Sequence, residues 1–115
     1  MRACKVFVHG IYAGMLTEKD RQHYSFEYDD AYFSDVDMPP VCLAFPKSQK
    51  SYASTYLFPF FSNMLSEGEN RIFQARYLKI DENDDFGILL ATAQYDTLGS
   101  VTVQPVGKEA ELWLL

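Results

Sequence analysis

The triplet Asp85-Phe86-Gly87 has the residue order that holds magnesium in protein kinases. Phosphoryl transfer also needs a glycine-rich phosphate loop, a strand lysine and a catalytic-loop Asp with its Asn. None of these is present, and a kinase fold does not fit in 115 residues. Phe86 is moreover required by an apolar helical stripe, so the triplet reads as helix capping plus core packing. The run Asp81, Glu82, Asn83, Asp84, Asp85 has oxygens for calcium but lacks the alternate register, central glycine and distal glutamate of an EF-hand loop. It reads as a solvated connection that puts negative charge at a helix N-terminus. His9 and His23 are isolated, and no Cys or His pair has metal-ligand spacing. No serine lies in a nucleophile elbow, and neither Cys4 nor Cys42 has an assignable base. The residue types therefore point away from an enzyme, with no cofactor, no metal and no small-molecule substrate expected.

Composition narrows the classes further. Ten basic residues stand against 16 acidic ones, for a net charge of −6. The basic residues are scattered singly or in pairs, the densest being Lys47 with Lys50, which disfavours direct nucleic-acid binding. At 48% hydrophobic the chain is not disordered, and its length suits one domain over residues 1–115. Nine Phe, eight Tyr and one Trp mean that rings build the core or an interface. No apolar run is long enough for a membrane helix, and the run after Met1 is too short for a signal peptide. Without a secretory signal, Cys4 and Cys42 are expected as reduced, buried thiols in the cytosol.

Periodicity then places the elements. Lys5 to His9 alternates as a strand, His9-Gly10 turns the chain, and Ile11 to Thr17 continues with Gly14 as a bulge or close-approach site. In Gln22 to Tyr28, Tyr24, Phe26 and Tyr28 face one way and Ser25 and Glu27 the other. Asp29 to Pro40 reads as a loop or short turn, and Val41, Leu43 and Phe45 as a further strand that Pro46 stops. Ser54 and Thr55 are candidate caps for a helix whose first turn lies near Pro59, with Leu57, Phe60, Phe61, Met64 and Leu65 on one stripe and Gly68 ending it. A second helix is expected from about Glu69 to Lys79, with Ile72, Phe73, Tyr77 and Ile80 apolar. A third, capped by Asp84, carries Phe86, Leu89, Leu90 and Ala93. Gly99 opens a last strand with Val101 and Val103 on one side. Strands followed by helices, without βαβ alternation, predict an α+β domain: a small curled antiparallel sheet or barrel capped by about three short helices.

The stretch Tyr56-Leu57-Phe58-Pro59-Phe60-Phe61 has more apolar side chains than one helix face buries. Either it completes the core, or part of it forms a docking patch for another protein. The tail Glu111-Leu112-Trp113-Leu114-Leu115 is similarly apolar and reads as core.

Phe60-Phe61-Ser62-Asn63-Met64-Leu65-Ser66-Glu67-Gly68, Arg71, Asp85-Phe86 with Leu89-Leu90, and Tyr95-Asp96 with Leu98-Gly99-Ser100-Val101 and Pro105 carry a resemblance. Together with Val6-Phe7-Val8-His9-Gly10 and Gly14-Met15-Leu16, they resemble the N-terminal subdomain of HipA-type serine/threonine kinase toxins over about residues 5–106. Ser66 stands where that family usually has proline, Gln94 where it has glycine and Ser100 where it has alanine. The resemblance implies a small β-barrel-like sheet capped by helices. It also implies a stand-alone HipS-like protein of a split system, the chain stopping where the kinase would begin. Its partner would be a HipA/HipT-type kinase encoded nearby, with a HipB-like DNA-binding protein as a further candidate. Kinases of this family phosphorylate an aminoacyl-tRNA synthetase, so the pathway implied is translation arrest.

The expected function is a non-catalytic, cytoplasmic antitoxin subunit that docks onto the kinase. The alternatives are an accessory subunit that completes or activates it, and an orphan structural or self-associating domain. The residues expected at the interface are Phe58, Phe61, Asn63, Ser66, Glu67, Gly68 and Arg71, at a helix end and the turn after it.

Overall fold

A computed structural model describes residues 2–63, 76–77, 79–81, 83–92 and 101–106. The hairpin between β1 (Arg2–Val8) and β2 (Ile11–Asp20) is closed by His9 and Gly10 at φ 51° and 79°. Two adjacent positive φ values match the right-handed strand twist and turn the chain in two residues. Strand β3 (His23–Tyr28) adds to β2, and β4 (Ser51–Ser54) adds to β3. The late strand β5 (Val101–Pro105) returns beside β1, so the antiparallel order is β4-β3-β2-β1-β5. The sheet is open, with β4 and β5 as edges, and does not close into a barrel. Short helices accompany it: α1 (Asp30–Ser34), α2 (Pro59–Ser62) and α3 (Asp85–Thr92). The α+β expectation holds.

Strand register builds the core in rows. Val103, Val6, Gly14 and Tyr28 lie across the sheet on one row, and Cys4, Leu16 and Phe26 on the next. Gly14 is needed there: a Cβ would collide with the Glu27 carbonyl oxygen and come within 2.8 Å of the Phe26 ring. The register shift beside it leaves Ala13 without a strand partner on β1, and its carbonyl accepts the Asp29 N–H at 2.8 Å. A bulge thus aims the chain into α1. Phe45, Phe58, Phe61, Phe86, Ile88, Leu89 and Leu90 pack onto the sheet's inner face.

Several local expectations are corrected. Asp29 to Pro40 is not all loop, because α1 forms there and buries Tyr32. Val41 to Phe45 is not a strand: the Phe45 N–H returns to the Cys42 carbonyl at 3.1 Å, so Val41 and Phe45 point inward while Leu43 points out. Ser54 is a strand residue of β4 and caps no helix; its hydroxyl accepts the Tyr56 N–H at 3.2 Å. Of the helix expected at 69–79, only Arg76, Tyr77 and Lys79 are described; Arg76 and Tyr77 are helical as expected, but Tyr77 is exposed rather than apolar-facing. Met64, Leu65, Gly68, Ile72, Phe73, Ala93, Gly99 and the 111–115 tail lie outside the described residues. Cys4 is fully buried, but Cys42 is only partly so, and both are free thiols. Burial pushes the Cys4 thiol up to about 12 and makes it a poor nucleophile. No described helix is long and apolar enough to cross a membrane.

Candidate partner-binding surface

Helix α2 is placed by two aromatic side chains rather than by a polar cap. Phe58 precedes it in extended backbone, and Pro59 occupies the first turn, where its missing N–H costs no hydrogen bond. The Phe58 carbonyl accepts the N–H groups of Phe61 and Ser62 at 2.9 and 3.1 Å. The Phe58 ring meets Phe45 edge-on with centroids 4.9 Å apart, and Phe61 lies 6.0 Å from Phe45 and 6.4 Å from Phe26. Each such ring withdrawn from water contributes about 2 kcal/mol.

Of the two readings of this stretch, Phe58 and Phe61 follow the one that completes the core and are not surface contacts: Phe58 is 9% exposed and Phe61 fully buried. The bend before Pro59 lets the two rings enter one core from different backbone directions, which a single helix face does not allow. The apolar surface left around α2 belongs to Tyr56 and Pro59, which are exposed, and to Phe60, which is half-buried and edge-on to Phe61. Asn63 is exposed at the helix end, its N–H bonded to the Pro59 carbonyl at 2.9 Å. Ser66, Glu67, Gly68 and Arg71 lie outside the described residues.

A charged cluster that sequence reasoning missed holds α3 against the strands. The Arg2 guanidinium forks onto Asp84, donating from Nη1 to Oδ2 and from Nη2 to Oδ1, both at 2.9 Å. Its Nε and Nη2 donate to Glu18 Oε1 at 2.8 and 2.5 Å, and the Tyr24 hydroxyl donates to Glu18 Oε2 at 2.9 Å. Arg2 also lies over the Phe86 ring, 5.4 Å from its centroid. Asp84 Oδ1 accepts the Gly87 N–H at 3.1 Å, so the expected cap of α3 is present and one carboxylate both caps the helix and pairs with a strand. A Cβ on Gly87 would come within 3.0 Å of the Arg2 guanidinium, so this glycine makes room for the ion pair. Phe86 is fully buried. Asp85-Phe86-Gly87 is thus a capped helix start with its aromatic side chain in the core.

Burial pushes the Asp84 carboxyl up. The hydrogen bonds from Arg2 and the Gly87 amide, with the charges of Arg2 and Arg21, outweigh it and hold the group below the usual aspartate value. On the Arg2 guanidinium, the Asp84 hydrogen bond prevails over burial and reinforces the cation. Among the described residues, Nε, Nη1 and Nη2 of Arg2 each donate to a carboxylate oxygen, so the cluster reads as a structural anchor of α3. His23 is exposed and its ring bonds Asp20, while His9 sits in the hairpin turn. Among the described residues, no group of three His, Cys, Asp or Glu side chains is placed to hold a metal ion.

Residues 4–104 match a family model described as the HipA N-terminal domain. An uncharacterized protein of Haemophilus influenzae is 35% identical over 104 residues, covering 90% of this chain and 92% of that protein. A Sinorhizobium fredii protein titled "Putative kinase Y4mE" is 26% identical over 109 residues, and the matched region spans 95% of this chain but 26% of that protein. A solved structure titled "N-terminal domain of HipA toxin" superposes with a TM-score of 0.68 at 29% identity, covering 94% of this chain and 95% of the other.

Proposed function

Because the chain belongs to the HipA N-terminal domain family, we propose that it is a non-catalytic subunit of a Hip toxin–antitoxin system that docks onto a separate HipA/HipT-type serine/threonine kinase and neutralises it. The single observation that carries this reading is the contrast in coverage. The same domain is nearly the whole of the Haemophilus relative, yet about a quarter of the kinase-titled Sinorhizobium one. A domain found both alone and within a larger kinase-titled chain is well suited to meet that kinase in trans. The matched domain is not the family's catalytic kinase domain, which supports a binding role.

The docking contacts fall to the C-terminal end of α2 and to residues that follow it in sequence. Asn63 stands exposed at that end, and Ser66, Glu67, Gly68 and Arg71 follow in sequence. Phe58 and Phe61 act from inside the core by fixing where the helix end stands. The compartment is the cytosol, in keeping with two free cysteines, and a HipB-like DNA-binding protein completes the system.

Expression of the neighbouring kinase with and without this protein tests the reading. The kinase alone is expected to arrest growth, this protein to relieve the arrest, and a tag on either chain to bring down both. Arrest that appears only when both are present indicates an activating subunit and overturns the antitoxin reading. Two separately eluting proteins at micromolar concentration, or ATP turnover by the isolated chain, count against docking and against a non-catalytic role respectively.

A further inference from the structure

Between α1 and β4 the chain runs through residues 35–50 without strand or helix, yet its backbone is tied down by side chains from the sheet and α1. The Tyr28 hydroxyl donates to the Phe45 carbonyl and accepts the Val41 N–H at 3.0 Å. The Tyr32 hydroxyl donates to the Pro39 carbonyl at 2.6 Å, and Tyr52 to that of Pro46. The Lys47 ammonium donates to the carbonyls of Asp35 and Met38 at 2.6 and 3.1 Å, and lies over the Tyr32 ring. Pro39-Pro40 stiffens the middle of the segment.

What this fixed backbone presents is apolar. Leu43 is 98% exposed and Val36 94%, the two most exposed large hydrophobic side chains described, and Pro39, Pro40 and Ala44 of the same segment are exposed too. Scattered surface leucines are ordinary, but a pinned, proline-stiffened crest loses little entropy when it is covered. The charges along this part of the chain are mostly acidic: no Lys or Arg occurs between Arg21 and Lys47, while Glu27, Asp29, Asp30, Asp35 and Asp37 do. Lys47 is turned onto backbone carbonyls, and Lys50 pairs with Asp30. A second copy docking through this face about a two-fold axis would oppose acid to acid.

We propose that the crest formed by Val36, Pro39, Pro40, Leu43 and Ala44 docks into an apolar recess rimmed by Lys and Arg on a partner protein of another sequence. The kinase is taken as that partner, which rests on the function proposed above, and the crest is a contact additional to the end of α2.

The test is titration of the full chain against the purified kinase, with Val36→Ser/Leu43→Ser and Asp37→Asn variants alongside. The double variant is expected to bind roughly tenfold more weakly with unchanged thermal stability. Affinity of the unmodified chain is expected to fall several-fold between low salt and ~0.5 M salt, and less steeply for Asp37→Asn. A double variant that binds as tightly as the unmodified chain overturns the crest, and salt-independent affinity overturns its charge complementarity. A dimer of this chain that the double substitution abolishes also overturns the assignment, since the crest would then serve self-association. Failure of the unmodified chain to bind the kinase overturns the proposed function and the crest's partner together.

Discussion

Toward opposite ends of its strands the molecule solves one problem with two chemistries. Near the start of β1, helix α3 is held by ionised groups, Arg2 between Glu18 and Asp84. Toward the end of β3, the 35–46 connection is held by neutral hydroxyls, Tyr28 and Tyr32, that reach backbone carbonyls. The difference follows from what each end must satisfy. A helix supplies its own interior hydrogen bonds and needs only an anchor at its start, where a carboxylate both caps and pairs. An irregular connection has few such bonds, so its buried N–H and C=O groups must find side chains. Charge makes the first anchor sensitive to loss of either sign. The second depends on the stacking of rings that bring the hydroxyls into place, with Tyr28 and Tyr32 nearly parallel at 5.9 Å.

The largest expected effect is at the apolar root of the hydroxyl-held end. Phe45 stacks on Phe26 at 4.7 Å and meets Phe58 edge-on, so Phe45→Ala is expected to cost about 4 kcal/mol in denaturant unfolding. A cost under about 1 kcal/mol would mean that the connection is not continuous with the sheet's core. Next comes the charged end. Arg2→Met keeps the aliphatic stem but leaves Glu18 and Asp84 facing each other largely buried, and about 3 kcal/mol is expected from the same measurement. Breaking the neutral anchor should be milder. Tyr28→Phe deprives the Val41 N–H and the Phe45 carbonyl of their partner while keeping the ring, for about 1.5 kcal/mol and faster amide exchange at Val41. Equal losses for Arg2→Met and Tyr28→Phe would erase the distinction between the two anchors.

The smallest effect, and the most discriminating, is in pH. The Asp84 carboxyl is held below its ordinary value, with the Arg2 and Gly87 hydrogen bonds outweighing burial. Its stabilisation is complete above the unfolded aspartate value of ~4 and is lost as pH falls through the lower folded value. Tyr28 runs the other way. Burial, opposed by the Val41 N–H, pushes its phenol up to about 12. Its contribution is complete below the unfolded value of ~10 and disappears as pH climbs through about 12. Tyr24, raised to about 12 by burial and its bond to Glu18, gives the charged end an alkaline limb as well. Stability measured against pH should therefore lose part of its acid limb in Asp84→Asn and part of its alkaline limb in Tyr28→Phe. An Asp84→Asn variant with an undiminished acid limb would remove this carboxylate from the account of the charged end.

Legibility in the sequence follows the same division. Strand β3 is readable because Tyr24, Phe26 and Tyr28 alternate with Ser25 and Glu27 on a half-buried strand, and that alternation is found. Asp84 is readable as a cap for the same local reason. The alternation of Val41, Leu43 and Phe45 misleads because a turn with two inward anchors gives the same pattern as a strand. Strand β4 is missed because an edge strand of Ser51, Tyr52, Ala53 and Ser54 has little apolar signal. At α2, the apolar excess is legible, but which side chains stay outside is not: Phe58 and Phe61 go in, while Tyr56 and Pro59 remain at the surface.

The sequence by itself determined the elements whose signal is periodic or local: the alternating strands, the cap at Asp84, Pro59 at a helix start, the α+β class and the family motifs. Tertiary structure alone decided that β5 returns beside β1, that the sheet stays open, and that Arg2 meets Asp84 across 82 positions of chain. The physical reason is that a side chain's type and its near neighbours set local backbone preference. Partners far apart in the chain are chosen by the packing of the whole core, and one-dimensional spacing does not encode that packing.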